Sequence, residues 1–420
     1  MRRLLTIIGI ILVILLLGIG SVIIFYLQQP AEERPGWFRR FFPFGEAPAL
    51  VETPNPQTFF PNNAPYQPTG NSGFIPEETM PLLRKLTTTP QAGGIAFTNK
   101  DGVTAFRFVE RSSGNVWETT ERTYDVTQIT NTTIPKIYEA LWGSEDSVVL
   151  ITTNESNIDR IRAFIAQISE EPADNQVSQR ELVGSFISPA SSELAVSPDG
   201  ETIAFIDEGV QERSLSTTTF TNPTASTAIL PTPITEWLIE WTAPAISLIT
   251  KPSSQVGGSV YSLNTAGALR QLISDTDGIT ALAHPENNSS FIFNNESVSR
   301  LALYYTESAD TVLNLQIDTL PEKCTWSKLE TSTLYCAVPK VISDNEYPDD
   351  WYKGKVSFND LIVKVTPPLP GFAVLVDPEK ITGEMIDAIQ LSLSPEEDYL
   401  IFTNKKDYSL WSYRLTPLEN

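Results

Sequence analysis

Histidine is almost missing from this chain: His284 is the only one in 420 residues, and Cys324 and Cys336 are the only cysteines. Two thiols and one distant imidazole cannot supply a four-ligand zinc set. Serine hydrolysis through a triad would have to run through His284 alone. His284 precedes Pro285 at a turn and is read as structural. The chain also lacks a serine nucleophile elbow, a paired-histidine zinc motif and a phosphate loop, so no catalytic residue, metal or cofactor is assigned from motifs. Clustered basic residues are missing too. With 29 Lys and Arg against 51 Asp and Glu, the net charge is −22 at pH 7, and the phosphate backbone of a nucleic acid would be repelled. Carboxylate chemistry survives these exclusions, because it needs only two acids at the right separation.

Long apolar runs are missing everywhere except at the start. Leu4 to Leu27 carries no charge over 24 residues, enough at about 1.5 Å per residue to cross a hydrocarbon core of roughly 30 Å. A cleavable signal would have a shorter apolar region ending in small residues, whereas this one ends in Phe25, Tyr26, Leu27, Gln28, Gln29. The run therefore reads as an uncleaved signal anchor with the bilayer as its partner and residues 1–3 in the cytoplasm. Arginines flank both ends, Arg2 and Arg3 before and Arg34, Arg39 and Arg40 after. The two-arginine N-terminus and the cysteine pair place the bulk of the chain outside the cytoplasm. Residues 28–420 hold 27 basic and 51 acidic groups, a net of −24, which reads as solubility at a crowded surface.

Residues 28–80 form a juxtamembrane linker, with 10 prolines between Gln28 and Pro76. Fully extended it would reach about 150 Å, and as a flexible coil nearer 40 Å. Within it Trp37, Phe38, Arg39, Arg40, Phe41, Phe42, Pro43 and Phe44 combine aromatics and arginines suited to the membrane interface; the alternative is a docking peptide.

From residue 81 to 420 the chain repeats one phrase seven times: a short apolar run, a polar turn, and a second run rich in β-branched and aromatic residues. The turns centre on Lys100, Ser144, Pro198, Ala243, Pro285, Lys328 and Pro395, at intervals of 44, 54, 45, 42, 43 and 67 residues. Four intervals match a four-stranded blade. The fold class is all-β, a seven-bladed propeller, with six or eight blades if a weak copy is misread. The last copy stops after a third strand. Pro81 to Thr88 (PLLRKLTT) is expected to complete it, with Leu83 and Leu86 beside Leu410 and Tyr413, so that hydrogen bonding between the chain ends removes the exposed edges. Ser197, Pro198, Asp199, Gly200 followed by Ile203, Ala204, Phe205, echoed by Ser394, Pro395 and Leu400, Ile401, Phe402, resembles the signature of WD-repeat-like β-propellers of the TolB type. That resemblance spans residues 81–420 and implies fold more firmly than function; the Gly-His and Trp-Asp marks of true WD repeats are absent.

The sixth copy departs most from the repeat. A hairpin centred on Glu330 sets Cys324 opposite Cys336, within disulfide reach, the alternative being two buried thiols. A long insertion then carries Tyr347, Asp349, Asp350, Trp351 and Tyr352, read as candidate binding residues for a protein or glycan; Asp349 with Asp350 could also hold Ca²⁺, and in the bland reading Trp351 and Tyr352 pack down on the blade. The functional expectation is a membrane-anchored, extracytoplasmic binding or scaffold propeller for a protein or envelope polymer, without catalysis. The alternatives are an envelope hydrolase using carboxylates on the propeller face, favoured by close pocketed acids without structural partners, and a lectin-like adhesin, which requires an exposed aromatic shelf around Trp351.

Overall fold

The computed structural model describes residues 80–415, apart from 155–156, 171–179, 190–191, 209–211, 243, 295–300 and 309–310. The expected anchor and linker lie outside the described residues. Among the described residues no helix is long and apolar enough to cross a membrane.

Seven four-stranded antiparallel sheets follow one another, as the repeat spacing predicts. The closing strand β1 (Leu83–Lys85) comes first. Blade 1 is β2 (Gln91–Thr98), β3 (Thr104–Glu110), β4 (Val116–Thr120) and β5 (Thr127–Gln128), and blade 2 is β6 (Glu139–Ser144), β7 (Ser147–Asn154), β8 (Asn157–Ile168) and β9 (Leu182–Ile187). Blade 3 is β10 (Leu194–Val196), β11 (Thr202–Asp207), β12 (Ser214–Thr219) and β13 (Thr227–Pro231), and blade 4 is β14 (Trp237–Glu240), β15 (Ile246–Thr250), β16 (Gly257–Leu263) and β17 (Leu269–Asp277). Blade 5 is β18 (Ala281–His284), β19 (Asn287–Asn294), β20 (Leu303–Ser308) and β21 (Thr311–Asn314), and blade 6 is β22 (Cys324–Trp326), β23 (Leu334–Pro339), β24 (Asp360–Val365) and β25 (Ala373–Val376). Blade 7 is β26 (Ala388–Leu393), β27 (Tyr399–Asn404) and β28 (Leu410–Arg414), completed by β1.

Sandwiching explains the strand sequences. The second strand of each blade is covered on both faces by the next sheets, so it reads as a continuous apolar run rather than an alternating one. Leu400, Ile401 and Phe402 are all buried, as are Val148 to Ile151 and Ile203 to Ile206. Each of the seven seams between neighbouring blades holds one apolar cluster. Val149 and Ile151 meet Ile203 and Phe205 between blades 2 and 3, for instance, and Phe106 and Phe108 meet Tyr399, Ile401 and Leu410 between blades 1 and 7.

The turn signature has a local cause. Ser197 closes its hairpin by accepting the Thr202 N–H at 2.9 Å, while Gly200 donates to the Ser197 carbonyl at 2.8 Å. Ser394 repeats this, accepting from Tyr399 at 3.0 Å. Gly200, at φ 76°, also abuts blade 2: a Cβ there would come 1.9 Å from the Gly143 carbonyl oxygen. Only glycine fits that left-handed, crowded position. Ser144 ends β6 just ahead of its turn, pairing with Ser147. Ala243 lies outside the described residues.

Ring closure follows the expected register. Leu83 faces Tyr413 and Lys85 faces Trp411, and the Leu86 N–H donates to the Leu410 carbonyl at 2.8 Å. Arg84 fastens the strand to blade 1 by donating to the carbonyls of Thr120 and Thr123 at 2.9 and 2.6 Å. In blade 6, Cys324 and Cys336 occupy facing positions and are joined by a disulfide, their Cα atoms 4.1 Å apart. His284 donates through Nε2 to the Thr331 carbonyl at 2.8 Å, while its Nδ1 accepts the Glu286 N–H, and its ring packs 4.8 Å from that of Trp326.

Candidate functional site

Antiparallel blades put the turns within each inner hairpin on one face. The connections between blades, and the loops between second and third strands, lie on the other. The blade 6 insertion belongs to that second face. It is not an open loop: Asp349–Tyr352 forms one helical turn, α1. Tyr347 and Trp351 point inward, 0% and 4% exposed, and both stack on Phe358 with ring centres 5.6 and 6.1 Å away. Together with Leu301 and Leu320 they make an eighth apolar cluster.

A buried charge network holds this cluster down. Lys323 Nζ, fully buried, lies 2.8 Å from Asp360, 2.6 Å from Asp387 and 2.9 Å from the Ala388 carbonyl oxygen. Trp351 Nε1 donates to Asp387 at 3.0 Å, and the Phe358 N–H does so at the same distance. Burial pushes Asp387 upward, but Lys323 and these donors outweigh it and hold the carboxyl below its ordinary value. Asp360 has fewer donors, and burial prevails there, pushing it up to about 6. Over the outer face of Trp351 sits Lys405, its Nζ 3.5 Å from the ring centre and donating to the Trp351 carbonyl. Desolvation lowers that ammonium to about 8.

The acidic pair in the insertion is engaged as well. Asp349 accepts the Ser254 N–H at 2.7 Å and Lys353 at 3.0 Å, and Asp350 accepts from Lys355 at 2.7 Å. Ser254 lies in a blade 4 loop and Asp387 precedes the inner strand of blade 7, so the insertion spans the face from blade 4 to blade 7. Among the described residues no group of three or more His, Cys, Asp or Glu side chains is placed to hold a metal.

Tyr352, the last residue of α1, differs from its neighbours: it is 41% exposed and donates its hydroxyl to Glu322. Glu322 precedes β22 and is one of four glutamates around the propeller axis. Glu139 opens β6, Glu193 immediately precedes β10, and Glu240 ends β14. Glu240 of blade 4 interacts electrostatically with Glu139 of blade 2 and Glu322 of blade 6. All four lie on or directly beside the innermost strands of their blades, β6, β10, β14 and β22, which surround the central channel. Gln390 of blade 7 reaches Glu139 at 3.5 Å over the same axis.

None of the four glutamates has an ion-pair partner among the described residues. Glu322 accepts from Thr280 at 3.0 Å and Glu193 is 3.5 Å from the Ser192 hydroxyl, while Glu240 has no hydrogen-bond partner among the described residues. The nearest cations, Arg111 for Glu139, Lys251 for Glu193 and Lys323 for Glu322, act only at a distance. Enclosure in the channel, reinforced by mutual repulsion at Glu193 and Glu240, disfavours the charged forms. Glu193 is pushed up to about 7 and Glu240 to about 8, and Glu139 and Glu322 are also raised, chiefly by burial. Such carboxyls can hold a proton at neutral pH, bind a cationic group, or exchange a proton with a ligand.

Of the five insertion residues named from sequence, Tyr347, Asp350 and Trp351 are buried, Asp349 is tied to blade 4, and Tyr352 alone reaches the channel mouth. The aromatic shelf around Trp351 that a lectin-like reading requires is not exposed. The channel glutamates were missed in the sequence. Their signal was faint: an acid at or just before the start of an inner strand, seen in Glu139, Glu193 and Glu322.

The fold and channel define a seven-bladed β-propeller. No family model and no curated protein matches the sequence. Among solved structures, an oligogalacturonate lyase from Vibrio parahaemolyticus is similar at 9% identity, covering 80% of this chain and 93% of that one with a TM-score of 0.50. TolB from Acinetobacter baumannii is similar at 11% identity, covering 76% and 78%, TM-score 0.40. The propeller domain of the Trilobed protease from Pyrococcus furiosus is similar at 6% identity, covering 80% and 100%, TM-score 0.46. At these identities the likeness concerns the fold alone.

Proposed function

We propose that this protein is a membrane-anchored, extracytoplasmic propeller that binds a protein or an envelope polymer at the face carrying the blade 6 insertion. The observation that supports this most directly is the meeting of Tyr352 with Glu322 at the mouth of an acidic channel. A rigid ring positions the insertion, a buried network fastens it, and one exposed aromatic is left beside carboxylates that have no cationic partner. That pattern suits a ligand group that is cationic or donates hydrogen bonds, entering along the axis. The anchor and the linker rest on the sequence of residues 1–80, and the placement outside the cytoplasm on Arg2, Arg3 and the Cys324–Cys336 pair.

The test is a photocrosslinker installed at Tyr352 in the full chain, in native membranes, with Lys100 on the opposite face as control. A partner captured at position 352 and not at 100, and lost on Glu240→Gln, supports the reading. Equal capture at both positions, or none, overturns it. A fractionation that leaves the chain in the soluble pool refutes the anchor.

A second reading has its own observation. Glu193 and Glu240, raised to about 7 and 8 and without basic partners within ion-pair distance among the described residues, are the kind of acids a general acid and base require. In that reading the protein is an envelope hydrolase or another carboxylate-dependent enzyme acting at the channel. Turnover of envelope glycans or peptides by the purified chain, abolished by Glu240→Gln or Glu193→Gln, would establish it and displace the non-catalytic reading.

A further inference from the structure

A second concave site lies on the same face, away from the insertion, where the ring closes. Its walls come from three neighbouring blades: Pro90 after the closing strand, Arg111 after β3, Lys136 to Tyr138 ahead of β6, and Tyr408 ahead of β28. They border an open depression of about 540 Å³, within the usual size range of small-molecule sites.

These walls are tied to one another. The Arg111 N–H donates to the Pro90 carbonyl at 3.1 Å, the Ile137 N–H to the Arg111 carbonyl at 3.0 Å, and the Gln91 N–H to the Tyr408 carbonyl at 2.7 Å. Tyr408 and Lys136 are non-glycine residues held at φ 57° and 62°, a left-handed conformation that such side chains seldom adopt and that the surrounding structure must impose. The Lys136 carbonyl is pinned by the Thr152 hydroxyl at 3.1 Å. The cavity is built before anything binds.

Its chemistry runs against that of the rest of the protein. In a chain with 51 acidic and 29 basic residues, carboxylates are plentiful, and Arg107, Arg180, Lys340 and Lys364 all pair with them. Arg111 and Lys136 have no carboxylate within ion-pair distance among the described residues. Arg111 is nevertheless fixed: its guanidinium lies 4.1 Å over the Tyr408 ring, and Nη1 donates to the Tyr138 carbonyl at 2.8 Å. One of its five N–H donors is thereby used, and the planar fork stays oriented for an incoming carboxylate. Lys136 is exposed. The lining between the two cations is mostly apolar, from Pro90, Ile137 and the two tyrosines.

We propose that this pocket binds a small organic acid, a monoanionic carboxylate on an apolar or aromatic body, with the carboxylate on Arg111 and Lys136 and the body against Tyr408 and Pro90. Glu110, also at the rim and accepting from the Ser113 hydroxyl at 2.5 Å, adds a negative charge that penalises a dianion such as a phosphate ester. Few hydroxyl or amide groups line the cavity, which disfavours a polyhydroxylated ligand. Its one link to the channel is Arg111, which acts on Glu139 only at a distance; neither Tyr352 nor Glu240 contributes to the site.

The test uses the full chain held in amphipol and titrated with 3-phenylpropionate, its neutral amide, and inorganic phosphate, read by ligand-observed NMR and by calorimetry. The acid is expected to bind at least about tenfold more tightly than the amide, and both Arg111→Met and Lys136→Met should abolish that preference. Lys136→Met makes the test secure, because an exposed side chain can be changed with the melting temperature unaltered. Equal binding of acid and amide, phosphate binding as tight as the acid, binding unaffected by Lys136→Met, or no binding at millimolar ligand would each overturn the proposal. Glu240→Gln should leave the titration unchanged, so failure of the channel reading and failure of this one remain distinguishable.

Discussion

The hydroxyl of Tyr352 donates to the carboxylate of Glu322, joining the tip of the blade 6 insertion to the acidic channel. The partners are 30 residues apart in sequence, and Tyr352 is the one insertion aromatic that is not buried. Tyr352→Phe should change stability by no more than about 1 kcal/mol, since Trp351 and Asp387 still hold the insertion. It should also raise the pKa of Glu322, which loses a donor to its charged form. Carboxyl-region NMR titration of the variant against the parent checks both directions, and an unchanged Glu322 titration contradicts the pairing.

Acid titration in the channel should be visible in stability. Glu193, Glu240, Glu139 and Glu322 hold their protons to higher pH when folded than when unfolded. Between about pH 4.5 and pH 8 the native state therefore binds more protons, and stability falls as pH rises through this window. The melting temperature should be higher near pH 5 than near pH 8. Glu240→Gln should flatten the slope and stabilise the protein at the alkaline end by on the order of 1 kcal/mol. A slope that Glu240→Gln leaves intact would place the titrating groups elsewhere.

Lys323 lies beneath two buried carboxylates. Replacing it by Met leaves Asp360 and Asp387 facing each other without a cation, and removing one partner of a buried pair costs roughly 3 to 5 kcal/mol. Because Asp387 also holds Trp351, the loss should spread to the insertion. Hydrogen exchange at the Phe358 amide, which donates to Asp387, should accelerate along with global unfolding. Protection there that survives Lys323→Met would show that the insertion is held by its aromatics alone.

Ring closure can be weakened at a single residue. Leu86 is buried at the seam of blades 1 and 7, and Leu86→Ala should cost about 2 to 5 kcal/mol. Deleting residues 81–88 would remove the fourth strand of blade 7 and expose β28 as an edge. Denaturant titration should register the first change, and light scattering the self-association that follows the second; unchanged melting in both would mean that closure contributes little.

Reduction of Cys324–Cys336 should shift the mass by two daltons, one per sulfur. In the chain-entropy picture the closed loop contributes about 3 kcal/mol. Cys324→Ser with Cys336→Ser should destabilise by an amount of that order, with blade 6 amides exchanging first. Identical mass with and without reductant would exclude the bond.

The blades were legible because their causes are local. A buried second strand must be apolar throughout, as in Val148 to Ile151, and a tight hairpin needs a hydroxyl like that of Ser197 or Ser394 to satisfy its backbone. Closure was legible for a related reason: a partner for β28 removes an exposed sheet edge, and the residues around Leu83 and Leu86 are the unassigned strand nearest the start of the repeats. The interior of the insertion was legible only in part. The sequence allows Trp351 and Tyr352 to pack down on the blade, and Trp351 does so while Tyr352 stays exposed, but nothing next to them reveals that Lys323, Phe358 and Asp387 gather beneath. The channel glutamates show the same limit, because one acid per strand means nothing until a ring turns four strands toward one axis.

Leu83 finds Tyr413 about 330 residues further along the chain. Each blade pairs mostly with itself and can form as it is synthesised, but blade 7 is complete only once β28 has emerged to pair with β1. Until then the first strand is held in reserve and both ends of the nascent arc show open sheet edges. The slowest step in making this protein should be the search that brings β1 and β28 together, with the highest contact order in the fold, and the half-closed arc is the species most exposed to aggregation in the meantime.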